Sequence, residues 1–116
     1  MEISDERIDG ATVLKLRGHF DAYQAPAVEQ LFRRAVTASV PYMIVDLTDV
    51  DFIDSTGLAT LVIGMKLCRQ YDGEFSLCGM HAPVHTIFEL TRLDRVFMIA
   101  ATREKAIASI HERQRG

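Results

Sequence analysis

The sequence predicts a single α/β domain: a mixed β-sheet that starts with an N-terminal hairpin, continues as alternating strands and helices, and packs against about four helices. The length of 116 residues suits one hydrophobic core. The composition, 48% hydrophobic and 25% charged, is ordinary for a globular protein. Apolar runs alternate along the chain with segments whose apolar residues recur at helical spacing. We therefore expect one domain over residues 1–116.

The predicted hairpin and the first helix occupy the N-terminal third. Residues 3–8 and 11–18 are short runs on either side of Asp9-Gly10, a dipeptide typical of tight hairpin turns. The segment 23–39 predicts a helix, and Pro26 suits its first turn. Its apolar residues recur at i, i+3, i+4, i+7 and i+8, and they are Val28, Leu31, Phe32, Ala35 and Val36.

The remaining elements alternate to the end of the chain. The apolar run 42–47 lacks alternation and predicts a central strand covered on both faces. The elements after it are a helix from Thr56 to Tyr71, a strand at 74–79, a helix at 82–93, a strand at 96–100 and a helix from Thr102. This order implies a mostly parallel sheet with one antiparallel part. Functional groups in such sheets gather where strands end and helices begin, as in DLTDVDFIDSTG at 46–57.

Composition argues against several classes of function. No apolar run approaches the roughly 20 residues that span a bilayer. The acidic N-terminus lacks the apolar region of a signal peptide, so we expect a cytoplasmic protein without membrane association. A net charge of -3 gives no support to nucleic-acid binding. Cys68 and Cys78 lie in apolar stretches and are expected to be buried, reduced thiols.

Four acids crowd the segment 46–54 and allow two interpretations; they are Asp46, Asp49, Asp51 and Asp54. They could form a cation site or include a phospho-accepting aspartate, or they could serve turns and helix starts. A receiver-type phosphoaspartate needs a pair of acids after the first strand, and neither IDG nor LRGHFD contains such a pair. His81 and His85 have the spacing of two metal ligands, but Ala82 stands where a metalloprotease has Glu. We expect no metal, no cofactor and no catalytic activity.

Ser55 and Thr56 are the other candidates for a functional site. Asp54, Ser55 and Thr56 fit the role of helix N-cap equally well. A helix N-terminus also offers free N–H groups and a partial positive charge, which a phosphate on Ser55 would meet. Gly57 is expected to leave the first turn unshielded. The predicted helix has an apolar stripe facing the sheet, made of Leu58, Leu61, Val62 and Met65.

Ile63 and Leu67 lie well away from that stripe on the predicted helix. An outer face with two such residues is too apolar for plain solvation. A neighbouring element covers this face, or it is a partner-docking face beside Ser55.

Three segments carry a resemblance to a known family. IVDLTDVDFIDSTGLATLV is similar to an apolar strand followed by D-L-x-x-V-x-F-I-D-S-[ST]-G-L and a helix. LRGHFDAYQAP resembles a Gly-x-[LF]-Asp segment, and LTRLDRVFMIAATREKAI resembles a closing segment of the same family. The family is the STAS domain and, within it, the stand-alone anti-sigma factor antagonists of bacteria. One departure is His19, where many members carry an acid.

The resemblance implies a non-enzymatic protein controlled by phosphorylation. In that family the first hydroxyl residue after the Ile-Asp pair is phosphorylated, which corresponds to Ser55, and Asp21, Asp54, Thr56 and Gly57 would shape the site. The unphosphorylated protein would bind an anti-sigma factor serine kinase and free the sigma factor. Phosphorylation would release it, and a metal-dependent serine/threonine phosphatase would reset it. We expect a monomer or weak homodimer.

Two alternatives remain open from the sequence. Within the family, the chain could be a STAS subunit of another assembly, such as a lipid transport complex or a signalling scaffold, which neighbouring genes would distinguish. From another class, it could be a receiver-like aspartyl phosphoprotein. The stability of the phosphate linkage distinguishes a phosphoserine from a phosphoaspartate, because a serine ester survives acid whereas an acyl phosphate is lost in base or hydroxylamine.

Overall fold

The computed structural model describes residues 1–8 and 10–115, and these form one five-stranded sheet and four α-helices. The strands are β1 (Glu2–Ile8), β2 (Ala11–Phe20), β3 (Tyr42–Ile53), β4 (Phe75–Cys78) and β5 (Met98–Ala100). The helices are α1 (Ala25–Ala35), α2 (Ser55–Gln70), α3 (Ala82–Leu90) and α4 (Arg103–Arg115). A short 3-10 helix, Leu93–Arg95, precedes β5. The predicted order of elements is confirmed.

The sheet is mixed, as the sequence predicts. Its strand order is β1-β2-β3-β4-β5, with β1 antiparallel to β2 and every other pair parallel. The predicted hairpin turn includes Asp9, which lies outside the described residues, and Gly10, which has a φ of 84° that glycine adopts readily. A receiver-like domain would open with a parallel strand, so the antiparallel β1 counts against that alternative.

Helices cover both faces of the sheet. On one face, side chains of α1, α2 and α3 pack with alternate residues of β3, namely Met43, Val45 and Leu47. On the other face, Ala106 and Ile110 of α4 pack with Ile44 and with residues of β2 and β4. The central strand is therefore buried on both sides, as its unbroken apolar sequence predicts.

Strand β3 is longer than the predicted strand at 42–47, and Asp49 and Asp51 lie within it rather than in a turn. The strand continues to Ile53 and pairs with the end of β2. The pairing of β3 with β2 shifts at two places, and at each place β3 contains one residue more than β2. The first bulge lies opposite the stretch from Lys15 to Arg17, and the second lies opposite the step from Gly18 to His19. Such bulges interrupt the period-2 pattern and bend the strand, which explains why alternation could not reveal this half of it.

Other element ends differ from prediction by a few residues. Helix α1 occupies 25–35 rather than 23–39, because the chain turns at its C-cap, Val36, which is extended. Helix α3 ends at Leu90, before Arg92 takes a left-handed conformation with φ of 64°. The prediction that Thr102 caps α4 is confirmed, since its Oγ1 accepts a hydrogen bond from the N–H of Lys105 at 3.2 Å.

Two further findings concern the cysteines and the length of the helices. Cys68 and Cys78 are buried free thiols, as predicted, and burial raises the pKa of each to about 12. Among residues 1–8 and 10–115, no helix has both the length and the apolar character needed to cross a bilayer.

Candidate functional site

Ser55 is exposed and is the first residue of α2, directly beyond the carboxyl end of β3. The predicted helix start is confirmed, one residue earlier than the sequence indicates. The sequence left three candidates for the helix cap, and the structure selects Asp54. Ser55 and Thr56 therefore do not cap the helix, and both are exposed to solvent.

Asp54 joins two parts of the site through its carboxylate. Its Oδ1 accepts a hydrogen bond from the N–H of Gly57 at 2.9 Å, which caps α2. Its Oδ2 accepts one from the N–H of Ala22 at 3.0 Å, in the loop between β2 and α1. The Asp54 N–H in turn donates to the carbonyl of Phe20 at 3.2 Å. Asp54 thus ties the first turn of α2 to the end of β2 and to the β2–α1 loop.

Asp21 organises that loop from within. Its Oδ1 accepts hydrogen bonds from the N–H groups of Tyr23 and Gln24, at 3.1 and 3.2 Å. Its carbonyl accepts one from Ala25, the first residue of α1, at 2.9 Å. Asp21 therefore sets the start of α1, in the manner of an Asx turn.

Gly57 shapes the site by close packing rather than by openness. The residue is buried, so the expectation that it leaves the first turn unshielded is wrong. A Cβ at this position would lie 2.6 Å from the carbonyl oxygen of Phe20 and 2.8 Å from Cγ1 of Ile53. Only glycine allows the start of α2 to approach the ends of β2 and β3 this closely.

The four acids of this segment have separate structural partners. Asp46 bonds to Thr48 and Arg103, Asp49 to Lys15 and Arg17, and Asp51 to His19. Asp54 serves the helix cap. In the part of the chain that the structure describes, no group of three His, Cys, Asp or Glu side chains is placed to hold a metal ion. The interpretation of these acids as turn and helix-start residues fits only Asp54, since the other three lie within β3.

Two of these carboxyl groups have altered acidity. Burial alone would raise the pKa of Asp46, but hydrogen bonds from Thr48 and the charge of Arg103 outweigh it and hold the pKa below its usual range. Arg103 also pairs with Glu6, which ties α4 to β1 and β3. The hydrogen bond from Lys15, with the charges of Lys15 and Arg17, lowers the pKa of Asp49.

Two large aromatic side chains are exposed close in sequence to the site, one in the β2–α1 loop and one near the end of β3. Tyr23 is 91% exposed and Phe52 is 45% exposed. The rings of Phe52 and His19 lie 5.7 Å apart, and Nδ1 of His19 is 2.7 Å from Oδ1 of Asp51. Tyr23 and Phe52 are not among the site residues that the sequence predicts, although each lies in a segment that carries the family resemblance.

Ile63 and Leu67 have different surroundings. Leu67 is half-buried and packs against the main core, so a neighbouring element partly covers it. Ile63, also half-buried, lines a groove between α1 and α2 together with Thr56 and Ala59. The groove that Ile63 lines extends to Thr56, the neighbour of Ser55.

His81 and His85 each have their own partner. The ring of His81 contacts the carbonyl of Thr48, and Nδ1 of His85 lies 3.1 Å from Oε1 of Glu89. The two side chains therefore take part in separate local contacts at the start of α3.

Comparisons with a family model, with curated proteins and with solved structures agree on one family. A family model described as the STAS domain matches residues 2–106. The anti-sigma-B factor antagonist of Listeria monocytogenes is 31% identical over 99 residues, covering 85% of this chain and 86% of that protein. The crystal structure of an anti-sigma factor antagonist from Mycobacterium paratuberculosis has a TM-score of 0.85 and 28% identity, covering 95% of this chain and 93% of that one.

A more distant structure shares the fold. SpoIIAA of Bacillus, solved in its phosphorylated form, has a TM-score of 0.73 and 21% identity, covering 94% of this chain and 99% of that one. This likeness shows a common fold. Because the family match extends over residues 2–106 of 116, the chain belongs to the STAS domain family.

Proposed function

We propose that this protein is a non-enzymatic anti-sigma factor antagonist controlled by phosphorylation of Ser55. Unphosphorylated, it binds an anti-sigma factor serine kinase and so frees a sigma factor. Phosphorylated, it leaves the kinase, and a metal-dependent serine/threonine phosphatase restores it. The names of its STAS relatives from Listeria and Mycobacterium support the antagonist role. The observation that carries the proposal is an exposed serine on a rigidly held helix start.

The surroundings of Ser55 suit a substrate hydroxyl. The residue is exposed, and among the described residues its side chain takes no part in the hydrogen bonds of the helix start. Asp54 bonds to the first turn of α2 and to the β2–α1 loop, so a kinase would meet the hydroxyl in a defined position. Thr56 is exposed beside it and provides an internal test of which hydroxyl is used.

A phosphate on Ser55 would act on a partner more than on its own chain. The neighbouring segments 19–24 and 51–56 contain no Lys or Arg, whereas they contain Asp21, Asp51 and Asp54. The phosphate, with about -1.5 to -2 charges, would therefore add to acids already present and find no cationic side chain in these segments. Binding a partner would require this dianion to lose its hydration, which opposes association. About 1.4 kcal/mol suffices for each tenfold loss of affinity.

The remaining site residues have structural roles in this proposal. Asp21 and Asp54 set the β2–α1 loop and the start of α2, and Gly57 permits their close approach. Ile63 provides an apolar contact beside the switch residue. Phosphorylation of Bacillus SpoIIAA, which shares the fold, makes a phosphorylated STAS protein physically reasonable.

The proposal is tested by locating the phosphate. Unphosphorylated protein is used to capture chains from lysate, and the captured kinase is identified and purified. It is then incubated with ATP and wild-type, Ser55→Ala or Thr56→Ala protein, and the peptide spanning residues 46–66 is analysed by mass spectrometry. We expect phosphate on the wild type and on Thr56→Ala, and none on Ser55→Ala. Phosphate on Thr56, or capture of no anti-sigma factor kinase, would contradict the proposal.

A further inference from the structure

We propose that two copies of this chain pair edge to edge through β5 and form an antiparallel, reversible dimer. Strand β5 pairs only with β4, so among the described residues no strand lies along its outer side. All three of its residues are partly exposed, whereas every residue of β4 is buried. A strand edge that nothing covers is a template for pairing with another strand.

The outward-facing backbone groups of this edge belong to Ile99. The N–H of Gly79 donates to the carbonyl of Ala100 at 3.4 Å, so the backbone groups of Ala100 point toward β4. Because the backbone groups of successive strand residues point to opposite sides, the N–H and carbonyl of Ile99 point away from β4. Two such edges placed antiparallel about Ile99 would exchange two hydrogen bonds, each from the N–H of one copy to the carbonyl of the other. The edge is therefore complementary to itself.

The two edges of the sheet differ in their protection against such pairing. Strand β1, at the opposite edge, has four charged residues among its seven: Glu2, Asp5, Glu6 and Arg7. The stretch 96–102, which contains β5, has no charged residue. Charges along an edge are one of the features that prevent association, and β5 lacks them. Pairing of β5 with β5 also uses the same edge in both copies, so it closes as a dimer and does not grow into a filament.

Exposed apolar side chains accompany this edge. Val96, two residues before β5, is 42% exposed, and Leu90, at the end of α3, is 79% exposed. Ile99 packs against the main core and lines a groove of about 540 Å³ between α3 and β5. In the dimer the two Ile99 side chains would lie on the same face, directly opposite each other, and would cover part of this surface. Because few residues of each copy take part, the interface is small and the association is weak.

Charged residues of both signs flank β5 at each end. Asp94 and Arg95 precede the strand, and Arg103, Glu104 and Lys105 follow it. In an antiparallel pair centred on the middle of β5, residues 94–95 of one copy lie beside residues 103–105 of the other. Asp94 can then meet Lys105, and Arg95 can meet Glu104, while Arg103 is already paired with acids of its own chain. The flanks are therefore complementary in charge for a second copy.

Further charged side chains on the neighbouring elements balance one another. They are two ion pairs and two exposed residues of opposite sign: His85 with Glu89, Arg113 with Glu74, and Arg92 and Glu112. This side of the molecule thus has no large net charge that would repel an identical copy.

The dimer does not depend on the switch proposed above and leaves it accessible. Ser55 follows the end of β3, which continues to Ile53, well beyond Asp46, its last residue paired with β4. Strand β4 separates β3 from β5. Each copy therefore presents its own Ser55 while it is paired, and the experiments below require no kinase.

Analytical ultracentrifugation of the full chain, at concentrations up to about 1 mM, measures the association. We expect a monomer–dimer equilibrium for the wild type. Val96→Lys places a charge beside the edge and should raise the dimer Kd about tenfold or more. Tyr23→Lys is the matched control, because Tyr23 is also exposed but lies in the β2–α1 loop, and its Kd should equal that of the wild type. Circular dichroism should show both variants folded. A wild type that stays monomeric at every concentration, or an unchanged Kd for Val96→Lys, would overturn the proposal.

A disulfide crosslink tests the register of the pair. Opposite residues of a hydrogen-bonded antiparallel pair have Cα atoms about 5.5 Å apart, which a disulfide can bridge. Ile99→Cys should therefore form a covalent dimer under mild oxidation. Ser4→Cys, on the exposed edge strand β1, is the matched control and should stay largely monomeric. Cys68 and Cys78 are buried in both variants. Crosslinking of Ser4→Cys as fast as Ile99→Cys would show that β5 is not the dimer edge.

Discussion

Removing the Asp54 carboxylate tests how the switch region is held together. Asp54→Ala deletes the cap on the Gly57 N–H and the hydrogen bond to the Ala22 N–H. Loss of an N-cap costs about 1 kcal/mol, and loss of a hydrogen bond to a charged acceptor costs about 1.5 kcal/mol or more. We therefore expect the free energy of unfolding to fall by about 2–3 kcal/mol. For a domain of this size that corresponds to a decrease in Tm of about 8–12 °C.

The assay combines urea unfolding with amide hydrogen exchange measured by NMR. In Asp54→Ala the amides of Gly57 and Ala22 should exchange faster than in the wild type, because both lose their acceptor. Asp51→Ala is the matched control, since Asp51 is an exposed neighbouring acid whose only described partner is His19. Its effect on stability should stay within about 0.5 kcal/mol. Equal stability of Asp54→Ala and Asp51→Ala would refute the account of Asp54 as the residue that joins loop and helix.

Three further predictions concern the core and the sheet. Gly64→Ala should lower the free energy of unfolding by about 1–3 kcal/mol, because its Cβ would lie 2.5 Å from the ring of buried Phe75; unchanged urea midpoints would contradict this. In the folded protein the pKa of Asp46 lies below its value in the unfolded chain, which is about 3.9. The ionised carboxylate therefore stabilises the fold fully above that pH, and the stabilisation is lost as the pH falls through the folded-state pKa. Asp46→Asn should therefore be less stable than the wild type at pH 7, with a difference that shrinks below about pH 4; a constant difference in urea titrations would contradict the assignment. Cys68 and Cys78 should resist a thiol reagent at pH 8 until urea unfolds the protein, since burial raises the pKa of each to about 12, and rapid labelling of the folded protein would contradict this.

The order of elements could be predicted because most of them carry a clear pattern. The helical spacing of Val28 and Phe32 in α1 and the unbroken apolar run of β3 each match their burial in the structure. The hairpin also follows from local sequence, since β1 and β2 flank Asp9-Gly10. These are features that depend on neighbours in the chain, and pattern reasoning can detect them.

The features that sequence could not supply depend on residues far apart in the chain. The second half of β3 is irregular because two bulges alter its register with β2, so no simple alternation marks it. The role of Gly57 follows from its distance to Phe20, which is 37 positions away, and the choice of Asp54 as cap depends partly on Ala22. The groove likewise requires α1 and α2 to be placed side by side.

A phosphate on Ser55 should end binding to the kinase, and isothermal titration calorimetry measures this effect. The purified kinase is titrated with unphosphorylated wild type, with protein phosphorylated at Ser55, and with Ser55→Ala and Ser55→Asp. We expect the unphosphorylated protein and Ser55→Ala to bind alike, because both present a neutral side chain. The phosphorylated protein should bind at least about a hundredfold more weakly, a loss of close to 2.8 kcal/mol of binding free energy. Ser55→Asp should lose less affinity, because one carboxylate carries less charge than a phosphate. Equal affinities for the phosphorylated and unphosphorylated proteins would contradict the claim.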